Sequence, residues 1–266
     1  MLDDLLTSLI TPCSPYVRRM GYLDEAIAMR GRHRRHRVSW QPHLDNTRRF
    51  VLSAAERCRN RSRVAVLGSG LLLDLPLAEL SSLFREVVLM DVVCFPEVRR
   101  QIRGFRNVSF VECDVTTIAE RLYDNGRQGR SELPEASPAL SCIGEDAGLV
   151  VSLNILSQLW VVPRSFAGSR MPRLGQDEVD DWCRAIVEAH YAALRSLSCD
   201  VCLVADYAFV KRDREGKVIS RGSTVSGLSL PGPDASWTWQ IAPLGDESRS
   251  ASKELCVGAW HLFDER

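Results

Sequence analysis

Lysine is nearly absent from this chain. Of its 34 basic residues only Lys211, Lys217 and Lys253 are lysines, and the rest are arginines spread along the whole length. That spread marks genome composition more than function. Net charge is also missing: 34 basic residues balance 34 acidic ones. A zero balance gives no global field to attract nucleic acid or an acidic membrane surface. No apolar run approaches the roughly 18 residues that a membrane-spanning helix needs. The first residues, MLDDLLTSLITPCSP, start acidic and carry only a short, interrupted apolar run. They fit neither a signal peptide nor a transit peptide, so the expected compartment is the cytoplasm. There are no internal repeats.

Cysteine is present but not organised. Nine cysteines, an odd count, are scattered through apparent strands and helices, as reduced core thiols would be. Cys199 and Cys202 form a C-x-x-C that enters a strand instead of opening a helix after one, which argues against a redox motif. His33, His36 and His43 lie among arginines with no cysteine pair nearby, so no metal site is expected. With no export signal, the glycosylation patterns at Asn60 and Asn107 are chance matches.

The chain divides by pattern near residue 60. Residues 1–60 read as helices with no strand alternation, broken by Pro12 and Pro15, with a further helix expected to start at Pro42. They form an expected lid, and residues 61–266 an expected α/β domain. From Arg63 onward apolar runs alternate with helical patterns. Strands are expected over 63–67, 86–90, 108–112, 149–153 and 201–205, with helices over 71–83, 97–104, 116–123 and 176–198. Residues 125–147 read as a long surface loop. The tail contains further strand-like pieces around a turn at Asp213-Arg214-Glu215-Gly216, then strands over 236–241 and 254–262. The fold class is therefore α/β: a doubly wound, mostly parallel sheet of seven strands, antiparallel at its C-terminal edge.

In such a sheet a ligand sits beyond the carboxyl ends of the strands. The residues there are Gly68-Ser69-Gly70, Asp91, Asp114 and Asn154, each small or polar and each directly after an apolar run. Glycines at 68 and 70 permit a sharp turn and close backbone approach to a ligand. Asp91 lies about twenty residues on, where a carboxylate can accept from both hydroxyls of a ribose. Asp114 has two readings, an acceptor for an adenine amino group or a cap for the next helix. Trp237 and Trp239 share one strand face, either as sheet cover or as an aromatic wall to a substrate pocket.

The order VAVLGSG, VVLMDVV, VSFVECDVT and LVVSLNILSQL resembles the class I S-adenosylmethionine-dependent methyltransferases, a Rossmann-like superfamily, over residues 60–206. The glycine motif is atypical: Val66 stands where the family often has an acid, and Leu71-Leu72-Leu73 offers no third glycine. Leu73 also breaks a dinucleotide-binding G-x-G-x-x-G. The resemblance implies S-adenosylmethionine as cofactor, with Gly68, Ser69 and Gly70 against its methionine part, Asp91 at the ribose and Asp114 by the adenine. It also implies acceptor-facing groups after strand four, namely Asn154 and Gln158 as orienting residues and Ser157 beside them.

RGRHRRHR, residues 30–37, is the densest charge cluster. If it closes over the site, Arg34 and Arg35 would grip a phosphate or carboxylate of the acceptor; otherwise it is a solvated helix end. The expected activity is methyl transfer to a small or anionic acceptor. The alternatives are a non-catalytic module binding RNA or a polyanion through Arg30–Arg37, and an NAD(P)-dependent oxidoreductase.

Overall fold

The computed structural model describes residues 2–138 and 140–262. Its centre is one eight-stranded sheet in the order β3-β2-β1-β4-β5-β8-β7, with β6 paired to β5 off that path. The strands β1 (Arg63–Leu67), β2 (Glu86–Asp91), β3 (Val108–Glu112), β4 (Ala147–Leu153) and the start of β5 (Asp200–Asp213) are parallel. The order reverses between β1 and β4, which is where a doubly wound sheet opens a crevice. β7 (Ala235–Ala242) and β8 (Ala251–Leu262) close the sheet antiparallel.

The eighth strand comes from the length of β5. Its first five residues pair with β4, and residues 208–212 then pair on that edge with β6 (Val218–Ser223). The Asp213-to-Gly216 turn makes this hairpin, so the tail folds onto the sheet as the pattern indicated.

The continuous apolar runs of β1, β2, β4 and β5 follow from burial on both faces. Val64, Val66, Leu89, Val151 and Val204 face one core, and Ala65, Leu67, Met90, Val150 and Leu203 the other. The first core is covered by α4 (Arg37–Arg57) and α5 (Leu77–Leu83), the second by α9 (Gln176–Arg195). The remaining helices are α1 (Leu2–Ile10), α2 (Pro15–Met20), α3 (Tyr22–Arg35), α6 (Pro96–Ile102), α7 (Ala119–Arg127) and α8 (Val161–Arg170). No helix among the described residues is long and apolar enough to cross a membrane.

Three elements differ from the sequence pattern. α4 starts at Arg37 and carries Pro42 inside it. Its Leu44, Val51, Ala54 and Ala55 share the core of β1 and β2, and Trp40 donates its indole N–H to the Ile241 carbonyl of β7 at 3.2 Å. Residues 37–57 therefore belong to the body of the sheet. The helix expected over 71–83 begins only at Leu77, because Leu72 and Leu75 sink into the core and Pro76 starts the helix behind them. α8 falls in a stretch with no expected element.

Candidate functional site

The strand ends open into one cavity of about 680 Å³, within the roughly 300–1,000 Å³ typical of small-molecule sites. Its floor is Gly68 to Gly70, Asp91, Asp114 and Asn154, from the ends of β1 to β4, and Asp206, from the middle of β5 where its pairing with β4 has ended. α3 crosses above, contributing Tyr22, Glu25, Met29 and Arg32.

The glycine turn is shaped by contact and by φ. Gly68 has φ +80°, and a Cβ there would stand 1.9 Å from the Ile155 Cγ2 and 2.9 Å from the Leu153 carbonyl. Gly70, at φ +49°, faces open space. The Gly68 and Ser69 N–H groups both donate to the Met90 carbonyl, at 2.9 and 3.2 Å. Ser69 is buried in the cavity wall and its Oγ has no partner. With α5 delayed to Leu77, the turn presents no helix N-terminus to a ligand.

Asp91 is fixed from behind. Its carboxylate accepts from the N–H groups of Gly70 at 2.8 Å, Val92 at 2.7 Å and Val93 at 3.4 Å. Burial raises its pKa, and those three N–H groups pull it back down. Asp114 takes up the capping role: Oδ1 accepts from the Thr116 N–H and hydroxyl, and Oδ2 from the Ala119 N–H at the start of α7. It nevertheless lines the cavity, and a carboxylate has about four acceptor positions.

Asn154 turns off the end of β4 at φ +52°, a conformation asparagine tolerates better than most residues. Its Nδ2 donates to Asp74 Oδ2 at 2.7 Å, while its Oδ1 is buried without a partner. Gln158 lines the cavity as well, and its amide donates to the Asn154 carbonyl at 2.6 Å, holding the turn. Ser157 donates to Asp206 Oδ1 at 2.7 Å. Burial raises the pKa of Asp74 and of Asp206, offset in part by the hydrogen bonds from Asn154 and from Ser157 and Thr224 respectively.

Asp74 and Asp206 were both missed from the sequence. Asp206 follows the apolar run of β5 as Asp91 follows that of β2, so the strand-end rule applied to the next residue would have found it. Asp74 lay inside the stretch read as a helix.

Arginines of the 30–37 cluster are engaged by carboxylates of the chain. Arg32, Arg35 and His36 all bind Asp246 in the β7–β8 loop, at 3.1, 2.8 and 2.9 Å. Arg32 also meets Glu247, and Arg30 meets Glu97. Arg34 lies 3.8 Å from Asp4. Of the cluster only Arg32 lines the cavity; Arg34 and Arg35 lie outside its lining. Burial would raise the Asp246 carboxyl, but hydrogen bonds from His36 and Arg35 hold it below the ordinary range. The pairs tie α3 to the far edge of the sheet.

The two tryptophans take different positions. Trp239 is 4% exposed and lines the cavity; His43 stacks on it at 3.9 Å and Trp40 meets it edge-on at 4.8 Å. Trp237 donates to His43 Nδ1 at 3.0 Å. Burial lowers the His43 pKa to about 3, so this imidazole is neutral. Among the described residues no group of three or more His, Cys, Asp or Glu side chains is arranged for a metal ion.

No protein-family model matches the chain, and no curated protein is similar to it. Solved structures overlay on it at low identity. The N-methyltransferase NodS from Bradyrhizobium japonicum, in complex with S-adenosyl-L-homocysteine, is 11% identical with a TM-score of 0.40, over 84% of this chain and 87% of that one. The Burkholderia thailandensis 1,6-didemethyltoxoflavin-N1-methyltransferase, with S-adenosylhomocysteine bound, is 13% identical with a TM-score of 0.40, over 94% and 92%. An rRNA methylase from Streptococcus thermophilus is 10% identical with a TM-score of 0.33, over 82% and 96%. At these values the overlays carry no argument, and function has to be read from the strand order and the cavity. In fold, the chain is a doubly wound, mostly parallel sheet closed by antiparallel strands.

Proposed function

We propose that this protein transfers a methyl group from S-adenosylmethionine to a small-molecule acceptor. The observation that carries the proposal is Asp91, a carboxylate held at the end of β2 by backbone N–H groups and facing the cavity. Such a group suits a ribose diol, which brings two donors. Gly68 and Gly70 let the chain pass close beneath the ligand. The unpartnered Asn154 Oδ1, beside the Asp74 carboxylate, suits an amino acid ammonium, and the unpartnered Ser69 hydroxyl adds a further polar contact. Asp114 would lie by the adenine.

When bound, the cofactor supplies a methyl group on a sulfonium. The chain's own contribution is placement and exclusion of water. Asn154 and Gln158 hold the turn after β4, Ser157 orients Asp206, and α3 covers the floor. The ion pairs of Arg30, Arg32 and Arg35 weigh against an RNA track along residues 30–37.

Calorimetric titration with S-adenosylmethionine and S-adenosylhomocysteine tests this. Both should bind, and Asp91→Ala should weaken binding by about 1.5–3 kcal/mol, the range for hydrogen bonds to a charged group. No binding of either by folded protein, or binding of NADH or NADPH instead, would overturn the proposal.

A further inference from the structure

Beyond the cofactor residues, the cavity runs onto the antiparallel half of the sheet, where β5 carries a bulge. Asp206 pairs with Val257 and Ala208 with Cys256, leaving Tyr207 without an opposite number. Side chains alternate along a strand, so Asp206 and Phe209 on a regular strand would face opposite ways. The extra residue puts both on the face that carries Leu255 and Lys253. Tyr207 goes to the other face, 6.3 Å from Trp260. Phe209, Leu255 and Trp239 then stand side by side across three strands. All three line the cavity together with Asp206.

Asp206 is 4% exposed, and no ion pair holds it among the described residues. The Ser157 hydroxyl fixes its rotation, and Thr224 donates to its backbone carbonyl at 2.9 Å. The charged group facing it from β8 is Lys253, whose ammonium stands 5.7 Å over the Phe209 ring. The cavity lining as a whole is acidic. Glu25, Asp74, Asp91, Asp114, Asp206 and Glu247 stand against Arg32 and Lys253, and Arg32 is taken by Asp246 and Glu247. His43 adds no charge. The indole N–H of Trp239 is buried without a partner.

An acidic, aromatic-walled space selects cations and flat rings over anions. We propose that the acceptor is an amine bearing an aromatic ring, stacked along Phe209 and Trp239, with Asp206 receiving the proton that its nitrogen must lose. This rests on the methyl-transfer reading and names its substrate class. The ammonium gives one proton to the Asp206 carboxylate. The freed nitrogen lone pair forms the N–C bond as the S–C bond breaks, and the electrons of that bond stay on sulfur as a neutral thioether. Asp206 then passes its proton to water. A carboxylate with a pKa raised by burial is better matched to this transfer than an exposed one.

The probes are 2-phenylethylamine and its acidic counterpart 3-phenylpropionate, titrated into the protein alone and into protein saturated with S-adenosylhomocysteine. The amine should bind at least tenfold more tightly than the carboxylate. Asp206→Asn, which keeps the shape, should lose at least tenfold of the amine affinity, and Phe209→Ala should also weaken it. Equal binding, preference for the carboxylate, binding of neither probe, or full amine affinity in Asp206→Asn would each overturn the proposal. Failure of S-adenosylhomocysteine to bind would instead strike the methyl-transfer reading, because the amine is also measured without it.

Discussion

Gly68 and Gly70, two residues apart on one turn, should respond to the same substitution in different ways. Alanine at 68 meets two costs. Its φ of +80° belongs to the left-handed side, which costs an L residue about 1–2 kcal/mol. Its Cβ would overlap the Ile155 methyl at 1.9 Å, and forcing extra carbon into packed surroundings costs about 1–3 kcal/mol. The sum, about 2–5 kcal/mol, is a large share of the roughly 5–15 kcal/mol that holds a domain together. Alanine at 70 meets only the conformational cost, about 1–2 kcal/mol, because nothing lies within 4 Å of its Cβ. That methyl instead occupies cavity space. Urea unfolding and S-adenosylhomocysteine titration of both variants separate the effects: Gly68→Ala loses the most stability, and Gly70→Ala stays folded but loses affinity. A Gly68→Ala protein as stable as the wild type would refute the close approach of Ile155. A Gly70→Ala protein with undiminished affinity would refute the ligand's place over the turn.

Acid should weaken the fold through two buried histidines. Burial lowers His43 to about 3 and His190 to about 4, against about 6.5 when unfolded. Their contribution is complete above the unfolded pKa and is lost as pH falls towards the folded values, together roughly 3–4 kcal/mol between pH 7 and 5. The raised carboxyls of Asp74, Asp91 and Asp206 pull the other way at the acid end. Urea unfolding at the two pH values should show the loss, and a His43→Gln/His190→Gln variant should lack most of it; a wild type equally stable at both pH values would contradict it. Asp246→Asn should loosen the clamp on α3, cost about 1–2 kcal/mol and speed amide exchange over Tyr22–Arg35. Unchanged exchange there would show that the clamp does not hold the helix.

The central parallel strands β1, β2, β4 and β5 were legible because burial on both faces demands unbroken apolar runs, and the ends of β2 and β4 marked Asp91 and Asn154. Asp206 was hidden only by stopping β5 at Ala205. Other features depend on distant partners. Nothing near Arg35 or His36 announces Asp246, more than two hundred residues away, so a paired cluster reads as a free one. The bulge at Tyr207 exists only in the pairing with β8, and it alone brings Asp206 and Phe209 to one face. The leucines after Gly70 have helical spacing, yet Leu72 takes φ +59° and enters the core, because burial outweighs local propensity there.

The ligand proposed for the cavity at the ends of β1 to β4 and along β5 is S-adenosylmethionine. A crystal structure with S-adenosylhomocysteine tests it most directly. The ribose hydroxyls should lie within hydrogen-bonding distance of Asp91 and the adenine beside Asp114. Density for the ligand elsewhere, with Asp91 touching only its three backbone N–H groups, would contradict it.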